Sequence, residues 1–305
     1  CADAGEWTLV TPTSGSLEPR SGHSAVAIGA KIYVFGGLDA IAGAIYNDVR
    51  IFDTRTSSWN KPEVEGQPPL PRNAHAAIVL PEDHETTNSR RMLVHGGSSP
   101  DCGALADLFL LHIPIDGADD APARLRWEKL SAVGEHPEAR ELHCALMQTE
   151  STVCFAGGRN HDGKVCTDMV LLDLDRWKWQ LVPMCEWNRC SLAAGVVDGE
   201  LLSFGGWDGG RICGDCWRYR DDEESWLPVN VVATESKQAA TEPSTTASPE
   251  IEARFGHCGT TVTMHSPSEL GEKTPFQALL VFGGMNAHSD LNDLVLITPN
   301  QHSHT

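Results

Sequence analysis

Short apolar runs separated by turn residues fill the chain, and long helical periodicity is absent. Five of these runs end in a Gly-Gly pair, namely IYVFGG at 36–37, MLVHGG at 96–97, VCFAGG at 157–158, LLSFGG at 205–206 and LLVFGG at 283–284. Nine to eleven residues after each pair, an aspartate opens a further apolar strand: Asp48, Asp107, Asp168, Asp215 and Asp293. The repetition predicts five similar β-units with a period of about 50–60 residues.

Tryptophan marks a fourth strand in four of the units. Trp59, Trp127, Trp179 and Trp226 each follow the aspartate-headed strand, whereas the fifth unit has no such tryptophan. The segment EWTLV at 6–10 resembles an outer strand that has no unit of its own. We therefore predict that residues 6–10 complete the fifth unit as its outer strand and close the sheets into a ring without an open edge.

Each unit is predicted to contain four short antiparallel strands bounded by Gly, Pro, Asn and Asp turns. In the first unit, we expect strands at about 22–29, 31–36, 48–53 and 58–63. One domain of residues 1–305 would then hold units at about 20–64, 72–132, 140–184, 189–231, and 254–299 plus 6–12. The segment 232–253 is rich in Ser, Thr, Ala, Glu and Pro, which predicts a flexible loop between the last two units.

These landmarks resemble the kelch repeat, the Gly-Gly and spaced-tryptophan unit of one class of β-propeller, over essentially the whole chain. The resemblance implies an all-β propeller of four-stranded blades, with one face on which acidic peptide segments or polypeptide carboxyl termini dock. Five blades depart from the six or seven of most kelch propellers. Either the ring is small or the sequence lacks a unit, and the fit of Trp7 to the vacant position favours five blades.

An arginine stands at the head of the first strand of every unit, and a histidine follows three residues later in four of them. The arginines are Arg20, Arg72, Arg140, Arg189 and Arg254, and the histidines are His23, His75, His143 and His257. The resemblance places these strand heads around the channel mouth on one face. Two interpretations stay open: each arginine pairs with a carboxylate such as the strand-opening aspartate, or some arginines clamp an anionic ligand.

The loops between second and third strands supply the asymmetry that a specific site needs. Loop 207–214 contributes Trp207 and Arg211, and loop 159–167 contributes Arg159. Aromatic and arginine side chains are favoured at binding hot spots. We predict that a peptide segment or chain terminus docks on the arginine-rimmed face, and that the ligand-binding residues are Arg20, Arg72, Arg140, Arg159, Arg189, Trp207, Arg211 and Arg254.

The composition of the chain limits the classes of partner that it is expected to bind. The net charge of −19 repels phosphates and argues against general affinity for nucleic acid or acidic lipid. No apolar run approaches the length of a membrane span. Ten cysteines in 305 residues are too sparse for a disulfide framework, which favours a cytoplasmic protein. We expect a protein or peptide partner, for which a carboxylate is the natural match to arginine.

A search of the sequence for catalytic and metal-binding motifs leaves the expectation of a binding module unchanged. The sequence lacks a Gly-x-Ser-x-Gly elbow, a phosphate-binding glycine loop and a His-Glu-x-x-His helix, so we expect a scaffold or substrate-recognition module without a cofactor. The competing function is a small-molecule isomerase or lyase that uses the same pocket. A zinc site of Cys185, Cys190, Cys213 and Cys216 is a further alternative, although four separate thiols are the preferred interpretation.

Overall fold

The computed structural model describes residues 8–82, 89–115, 124–183, 187–229, 251–267 and 273–298. Every regular element among these residues is a β-strand, and none of them forms a helix that could cross a membrane. The polypeptide forms two compact units. The first unit is Leu9–Cys190, and the second contains Thr8 together with the residues from Ser191 onward.

The first unit contains three blades. Its strands are β1 (Ser24–Ile28), β2 (Lys31–Phe35), β3 (Leu38–Asp39), β4 (Ala44–Ile45), β5 (Val49–Asp53), β6 (Ser58–Asn60), β7 (Val64–Glu65), β8 (Ala76–Leu80), β9 (Ser89–His95), β10 (Ser98–Ser99), β11 (Gly103–Ala104), β12 (Leu108–Pro114), β13 (Leu125–Leu130), β14 (Val133–Gly134), β15 (Arg140–Glu141), β16 (Cys144–Thr149), β17 (Thr152–Ala156), β18 (Arg159–Asn160), β19 (Asp168–Asp173) and β20 (Lys178–Pro183). Blade one has the strand order β1-β2-β5-β6, blade two β7-β13-β12-β9-β8 and blade three β14-β20-β19-β17-β16. The remaining strands form three two-stranded pairs: β3–β4, β10–β11 and β15–β18.

The second unit contains two blades. Its strands are β21 (Ala193–Val197), β22 (Glu200–Phe204), β23 (Cys216–Arg220), β24 (Ser225–Val229), β25 (Cys258–Pro267), β26 (Lys273–Phe282) and β27 (Leu294–Ile297). Blade four has the order β21-β22-β23-β24, and blade five has the order β25-β26-β27. The predicted fold class is confirmed: the protein is all-β, and its five mainly antiparallel sheets are the blades of a five-bladed β-propeller.

The prediction for the closing strand at 6–10 needs a correction. Residues 6 and 7 lie outside the described residues, and residues 8–10 form no strand. Leu9 and Val10 are exposed at 93% and 52%, which is not the burial expected of a packed outer strand. Among the described residues, blade five therefore has three strands rather than four. Most of the predicted flexible loop at 232–253, namely residues 232–250, also lies outside the described part.

Apolar side chains between neighbouring sheets form the cores. In the first unit, Phe35 of blade one packs at 4.8 Å between ring centroids on Trp127 of blade two. Phe155 and Trp179 of blade three pack with Leu93 of blade two in the next core. The tryptophan of the fourth strand thus fills the space between two sheets, as the sequence predicts.

Within each unit, a Gly-Gly pair contacts the head of the following blade. The N–H of Gly97 donates to the carbonyl oxygen of Arg140 at 2.9 Å. A Cβ on Gly96 would lie 2.7 Å from the same oxygen and 2.9 Å from the His143 ring. Both glycines have left-handed φ values, 64° and 93°, and only a residue without a side chain meets both conditions. The pair Gly96–Gly97 therefore forms the surface on which the Arg-x-x-His head of the following blade packs.

Short parallel segments cover the outer strands of the first three blades. The strand β7 pairs with β13, β14 pairs with β20, and Ser14 forms a parallel bridge with Ser58, the first residue of β6. The glycine in each segment lies against the tryptophan carbonyl of the covered strand; a Cβ on Gly134, for example, would come within 2.5 Å of the Trp179 oxygen. These segments occupy strand edges that would otherwise be open to other chains.

Candidate functional site

The arginine at each strand head is bound to its own blade. Arg140 donates from Nη1 to Asp168 Oδ1 at 2.9 Å and from Nη2 to Asp168 Oδ2 at 2.7 Å. Its remaining bonds go to backbone oxygens, from Nε to Glu138 and from Nη1 to Gly157. The side chain therefore joins the head of the first strand, the Gly-Gly pair and the head of the third strand.

Two other arginines repeat this pattern atom for atom. Arg72 binds both carboxylate oxygens of Asp107, at 2.6 and 2.9 Å, and Arg254 binds both oxygens of Asp293, at 2.5 and 2.8 Å. The hydrogen bonds from Arg254 lower the pKa of Asp293 below its ordinary value, and burial of the carboxylate opposes this effect only in part. Each of these arginines makes four hydrogen bonds inside the blade, through Nε, Nη1 and Nη2.

Blade one departs from the pattern. Arg20 contacts only one oxygen of Asp48, at 2.8 Å, because Arg50 Nε takes the other oxygen at 2.7 Å. Glu18 joins both arginines, and the guanidinium of Arg20 lies 4.0 Å from the Tyr46 ring centroid. Burial alone would raise the pKa of Asp48, but the hydrogen bonds from the two arginines outweigh it and the pKa is lowered.

These contacts are those of the pairing alternative. Arg72, Arg140 and Arg254 are 0–1% exposed, and Arg189 is 5% exposed with Nη1 donating to the Asn188 carbonyl oxygen. A ligand would have to displace an aspartate to reach the first three guanidinium groups. Arg20, Arg72, Arg140 and Arg254 therefore each hold a carboxylate of their own blade, and their role as ligand-binding residues stays a prediction.

The histidines three residues later also have structural positions. His75 Nε2 lies 2.8 Å from Ser24 Oγ on blade one, and His257 Nε2 lies 3.0 Å from the Phe204 carbonyl oxygen on blade four. Each is 7% exposed, and burial lowers the pKa of His75 to about 3 and that of His257 to about 4. Both side chains are therefore neutral imidazoles at neutral pH.

One buried histidine was not predicted from the sequence. His95 takes the place before Gly-Gly that phenylalanine takes at Phe35 and Phe204, and its Nδ1 lies 3.0 Å from His143 Nε2. Burial lowers the pKa of His95 to about 3 and lowers the pKa of His143 well below its ordinary range. The signal was present in MLVHGG, where the polar residue interrupts an apolar position of the repeat.

The loop 159–167 of blade three carries an arginine that is only partly engaged. Arg159 Nε donates to Glu141 Oε1 at 2.6 Å, across the β15–β18 pair, and 42% of its side chain is exposed. His161 lies directly on the neighbouring blade-two loop, where a Cβ on Gly103 would collide with its Nδ1. The loop is thus supported from the next blade while Arg159 stays accessible.

The loop 207–214 of blade four carries the most accessible arginine of the predicted set. Asp208 Oδ1 accepts hydrogen bonds from the backbone N–H groups of Gly210 and Arg211, both at 2.8 Å, which fixes a tight turn. Arg211 Nε donates to Asp208 Oδ2 at 3.2 Å, and 77% of the side chain is exposed. Within the described part of the chain, its Nη1 and Nη2 meet no acceptor, so the fork is open to a ligand.

Trp207 begins the same loop at the point where the chain leaves Gly206. It forms an antiparallel bridge with Ile212, which places its backbone beside the residue that follows Arg211. The residue as a whole is half-buried. Trp207 and Arg211 therefore combine an apolar surface with unused guanidinium donors on one rigid turn.

The cysteines give no support to the zinc alternative within the described residues. No group of three or more metal-ligating side chains is found there, and Cys185 lies outside them. Cys190, Cys213 and Cys216 are buried, and the Cys213 thiol donates to the Arg211 carbonyl oxygen at 3.7 Å. Burial raises the pKa of Cys216 to about 12.

Comparison with known proteins identifies the repeats. The family model of the KLHDC2/KLHL20/DRC7 Kelch-repeats domain matches residues 2–116 and 84–265, which together span most of the chain. The relatives include Acyl-CoA-binding domain-containing protein 5 of Arabidopsis thaliana, 27% identical over 67% of this chain and 30% of that protein. Host cell factor of Drosophila melanogaster is 28% identical over 79% of this chain and 18% of its own length.

A third relative widens the range of contexts. Serine/threonine-protein phosphatase BSL2 of Arabidopsis thaliana is 24% identical over 95% of this chain and 27% of its own length. This chain spans less than a third of each of these relatives. The names describe different proteins, so what they share with this chain is the repeat region. The family match and the likeness to host cell factor together support a protein-interaction module.

Proposed function

The chain belongs to the kelch-repeat family, and from this premise we propose that it is a protein-binding module. It docks a peptide segment or chain terminus through the loops between the second and third strands of its blades. The observation that carries the proposal is the open fork of Arg211 beside Trp207. A planar guanidinium with two unused amino groups binds a carboxylate through two parallel hydrogen bonds. The predicted carboxylate partner therefore stays in the proposal, with Arg211 in place of the buried arginines as its contact.

Rigidity supports this proposal. The turn that holds Arg211 is fixed by two backbone hydrogen bonds to Asp208, and Cys213 is tied by its N–H to the Gly206 carbonyl oxygen at 2.8 Å. A preformed turn loses little conformational freedom when a ligand binds. Trp207 adds the kind of large apolar surface that dominates binding hot spots. Binding through this loop would need no rearrangement of the blade.

The loop of blade three is a second contact surface in the proposal. Arg159 is partly exposed and Lys164 is exposed on the same loop, which belongs to the first unit. The surrounding acidic side chains Glu141, Asp162 and Glu138 reduce the net positive charge there. The blade-three loop would therefore contribute less to carboxylate binding than Arg211.

A peptide array tests the proposal. The protein is applied to peptides that end in a free carboxylate and to the same peptides with an amidated terminus or Gln in place of Glu. Arg211→Ala and Trp207→Ala should each weaken the bound peptides by about tenfold or more, which corresponds to about 1.4 kcal/mol. Loss of the carboxylate from the peptide should have little additional effect on Arg211→Ala.

The matched control is Arg176→Ala. Arg176 forms an ion pair with Asp173 at the same sequence spacing as Arg211 with Asp208, and their side chains are 78% and 77% exposed. It lies at the opposite end of its strands, in the turn between β19 and β20. Unchanged peptide binding by Arg211→Ala, or an equal loss in both variants, would refute the proposed site.

A further inference from the structure

A cavity of about 570 Å³ lies on blade three. This volume falls within the range of small-molecule sites, which is about 300–1,000 Å³. The cavity lies beside the turns that join β16 to β17 and β19 to β20, at the opposite end of the blade from loop 159–167. All the described residues that line it belong to the first unit.

The strand register explains the floor of the cavity. Thr152 pairs with Asp173, and Asp173 pairs with Lys178, so these three side chains share one face of the sheet. Leu171 and Gln180 form the next pair on the same face. The floor therefore combines a hydroxyl, an amide and a lysine with one apolar side chain.

The segment that covers β20 forms the wall of the cavity. Gly134 pairs with Trp179, and a Cβ on Gly134 would lie 3.3 Å from Cγ of Lys178. The aliphatic part of the lysine therefore lies against the covering segment, in which Glu135 is the next residue. Lys178 and Glu135 are both exposed, and both line the cavity.

Lys178 and Glu135 carry opposite charges but do not pair with each other. Within the part of the chain that the structure describes, neither side chain makes an ion pair or a hydrogen bond. The other two charged residues of the cavity differ in this respect, because Asp173 Oδ2 accepts a hydrogen bond from Arg176 Nη1 at 3.0 Å. The cavity therefore presents one cation and one anion whose polar atoms are open to a ligand.

The repeat does not account for either charge. The residue before the tryptophan of the fourth strand is Ser58 in blade one, Ser225 in blade four and the ion-paired Arg126 in blade two. The residue after the glycine of the covering segment is Ser16 in blade one and Gln67 in blade two. The unpaired lysine and glutamate are therefore particular to blade three among the covered blades.

We propose that this cavity binds a zwitterionic small molecule, with its carboxylate on Lys178 and its ammonium group on Glu135. A free amino acid or a short peptide has this chemistry and carries no net charge, so a chain with a net charge of −19 does not repel it as it repels an anion. The Thr152 hydroxyl and the Gln180 amide supply further donors and acceptors, and Leu171 supplies apolar surface. The cavity shares no residue with the proposed peptide-docking loops.

Amide NMR titrations with two zwitterions, leucine and glycyl-leucine, test the proposal. Each is compared with its N-acetylated form, which lacks the ammonium group, and with its amidated form, which lacks the carboxylate. In the unsubstituted protein, the zwitterions should shift the amide signals of Thr152 and Gln180. Either modified form should bind at least about fivefold more weakly, because it loses one charge-assisted hydrogen bond. The tighter of the two zwitterions identifies the charge separation that the site accepts.

Variants that remove one protein charge at a time make the test specific. In Glu135→Gln, N-acetylation of the ligand should have no further effect, while amidation should still weaken binding. Lys178→Gln should show the reverse, and Lys178→Arg should restore the response to the carboxylate. Lys61→Gln and Glu63→Gln make the same changes at exposed positions between β6 and β7, and both should bind like the unsubstituted protein.

Three results would overturn the proposal. The first is that neither zwitterion shifts the cavity signals at millimolar concentrations. The second is that the zwitterions bind no better than their single-charge forms, and the third is that Lys61→Gln weakens binding as much as Lys178→Gln. None of these variants alters the peptide-docking loops, so this proposal and the proposed function can fail independently.

Discussion

Arg140 and Asp168 face each other through two parallel hydrogen bonds, 2.9 Å from Nη1 to Oδ1 and 2.7 Å from Nη2 to Oδ2. The arginine side chain is fully buried and the aspartate side chain is 23% exposed. The pair also holds the Gly157 carbonyl oxygen, which belongs to the pair of glycines that receives the next strand head. This one side chain therefore joins the heads of the first and third strands of blade three to its glycine pair.

Removal of the arginine should destabilise the protein strongly. Arg140→Ala leaves the Asp168 carboxylate without its partner, and the loss of one member of a buried ion pair costs about 3–5 kcal/mol. Arg140→Lys keeps the charge but loses the bidentate geometry, so its stability should lie between those of Arg140→Ala and the unsubstituted protein. Urea unfolding measures the difference. Arg176→Ala, on a pair that is 78% exposed at its arginine, should change stability by less than about 1 kcal/mol.

Acid should destabilise the protein through its buried histidines. The pKa of His75 and His95 is about 3 in the folded protein because burial disfavours the charged ring, against an ordinary value of 6.5. The unfolded protein therefore binds more protons between these values. Stability should fall as the pH drops from 6.5 towards 3 and stay level above 6.5, with a slope of up to about 1.4 kcal/mol per pH unit for each histidine.

The His95–His143 pair can be tested against the other blades. His95→Phe combined with His143→Leu installs the residue types that the sequence uses at Phe35 and Leu192. The free energy of unfolding should then depend less steeply on pH than in the unsubstituted protein. The difference is expected between pH 4.5 and 6.5, which is about two pH units below the ordinary histidine pKa. An unchanged slope would show that this pair takes up its protons outside the predicted window. His288→Phe, on an exposed loop, serves as the control.

Alanine at the Gly-Gly pair should disrupt the interface between blades two and three. In Gly96→Ala, the new Cβ would lie 2.7 Å from the Arg140 oxygen at a left-handed φ of 64°. Backbone strain of this kind alone costs about 1–3 kcal/mol, and the close contact adds to it. Gly163→Ala has a similar φ of 77° with nothing within 4 Å. Thermal unfolding should show a clearly larger effect for Gly96→Ala, and equal effects would argue against the contact.

The thiols should fall into two reactivity classes. Cys102 and Cys258 are exposed, whereas Cys144 and Cys216 have pKa values raised to about 12 by burial. Alkylation of the native protein followed by peptide mapping should modify the first two quickly and the other two only after unfolding. Rapid modification of Cys216 in the native protein would contradict its described position, and rapid modification with zinc-sensitive protection would revive the metal alternative.

Local repetition was enough to predict the blades. The Gly-Gly pairs, the aspartates and Trp127 or Trp179 appear at regular spacing, and each has a local steric or packing reason to be there. The repeat also predicts the partner of Arg140, because it places the Asp168 carboxylate in the same blade. Residue spacing does not show whether the arginine keeps donors free for a ligand, because this depends on how deeply the side chain is buried.

Other features depend on contacts that leave no regular signal. The two-residue strand β14 covers β20 because Gly134 happens to fit against the Trp179 carbonyl oxygen. The exposure of Arg211, in contrast to the burial of Arg140, follows from the turn made by Asp208 and not from residue type. The N-terminal residues Leu9 and Val10 carry a strand-like pattern but form no strand and are exposed, because an apolar pattern alone does not fix a strand pairing.

Backbone hydrogen bonds from residues with a left-handed φ connect the strand heads of the first three blades. Ala74 donates from its N–H to the Gly22 carbonyl oxygen, and Leu142 donates in turn to Ala74, with φ values of 55° and 59° at the two non-glycine positions. Because Ala74 of blade two bonds to blade one and Leu142 of blade three bonds to blade two, a gene duplication that copied one sheet alone would lose these bonds. A copy that keeps Arg72 with Asp107, or Arg140 with Asp168, keeps each ion pair within one blade, whereas a break between a Gly-Gly pair and its aspartate separates the two partners.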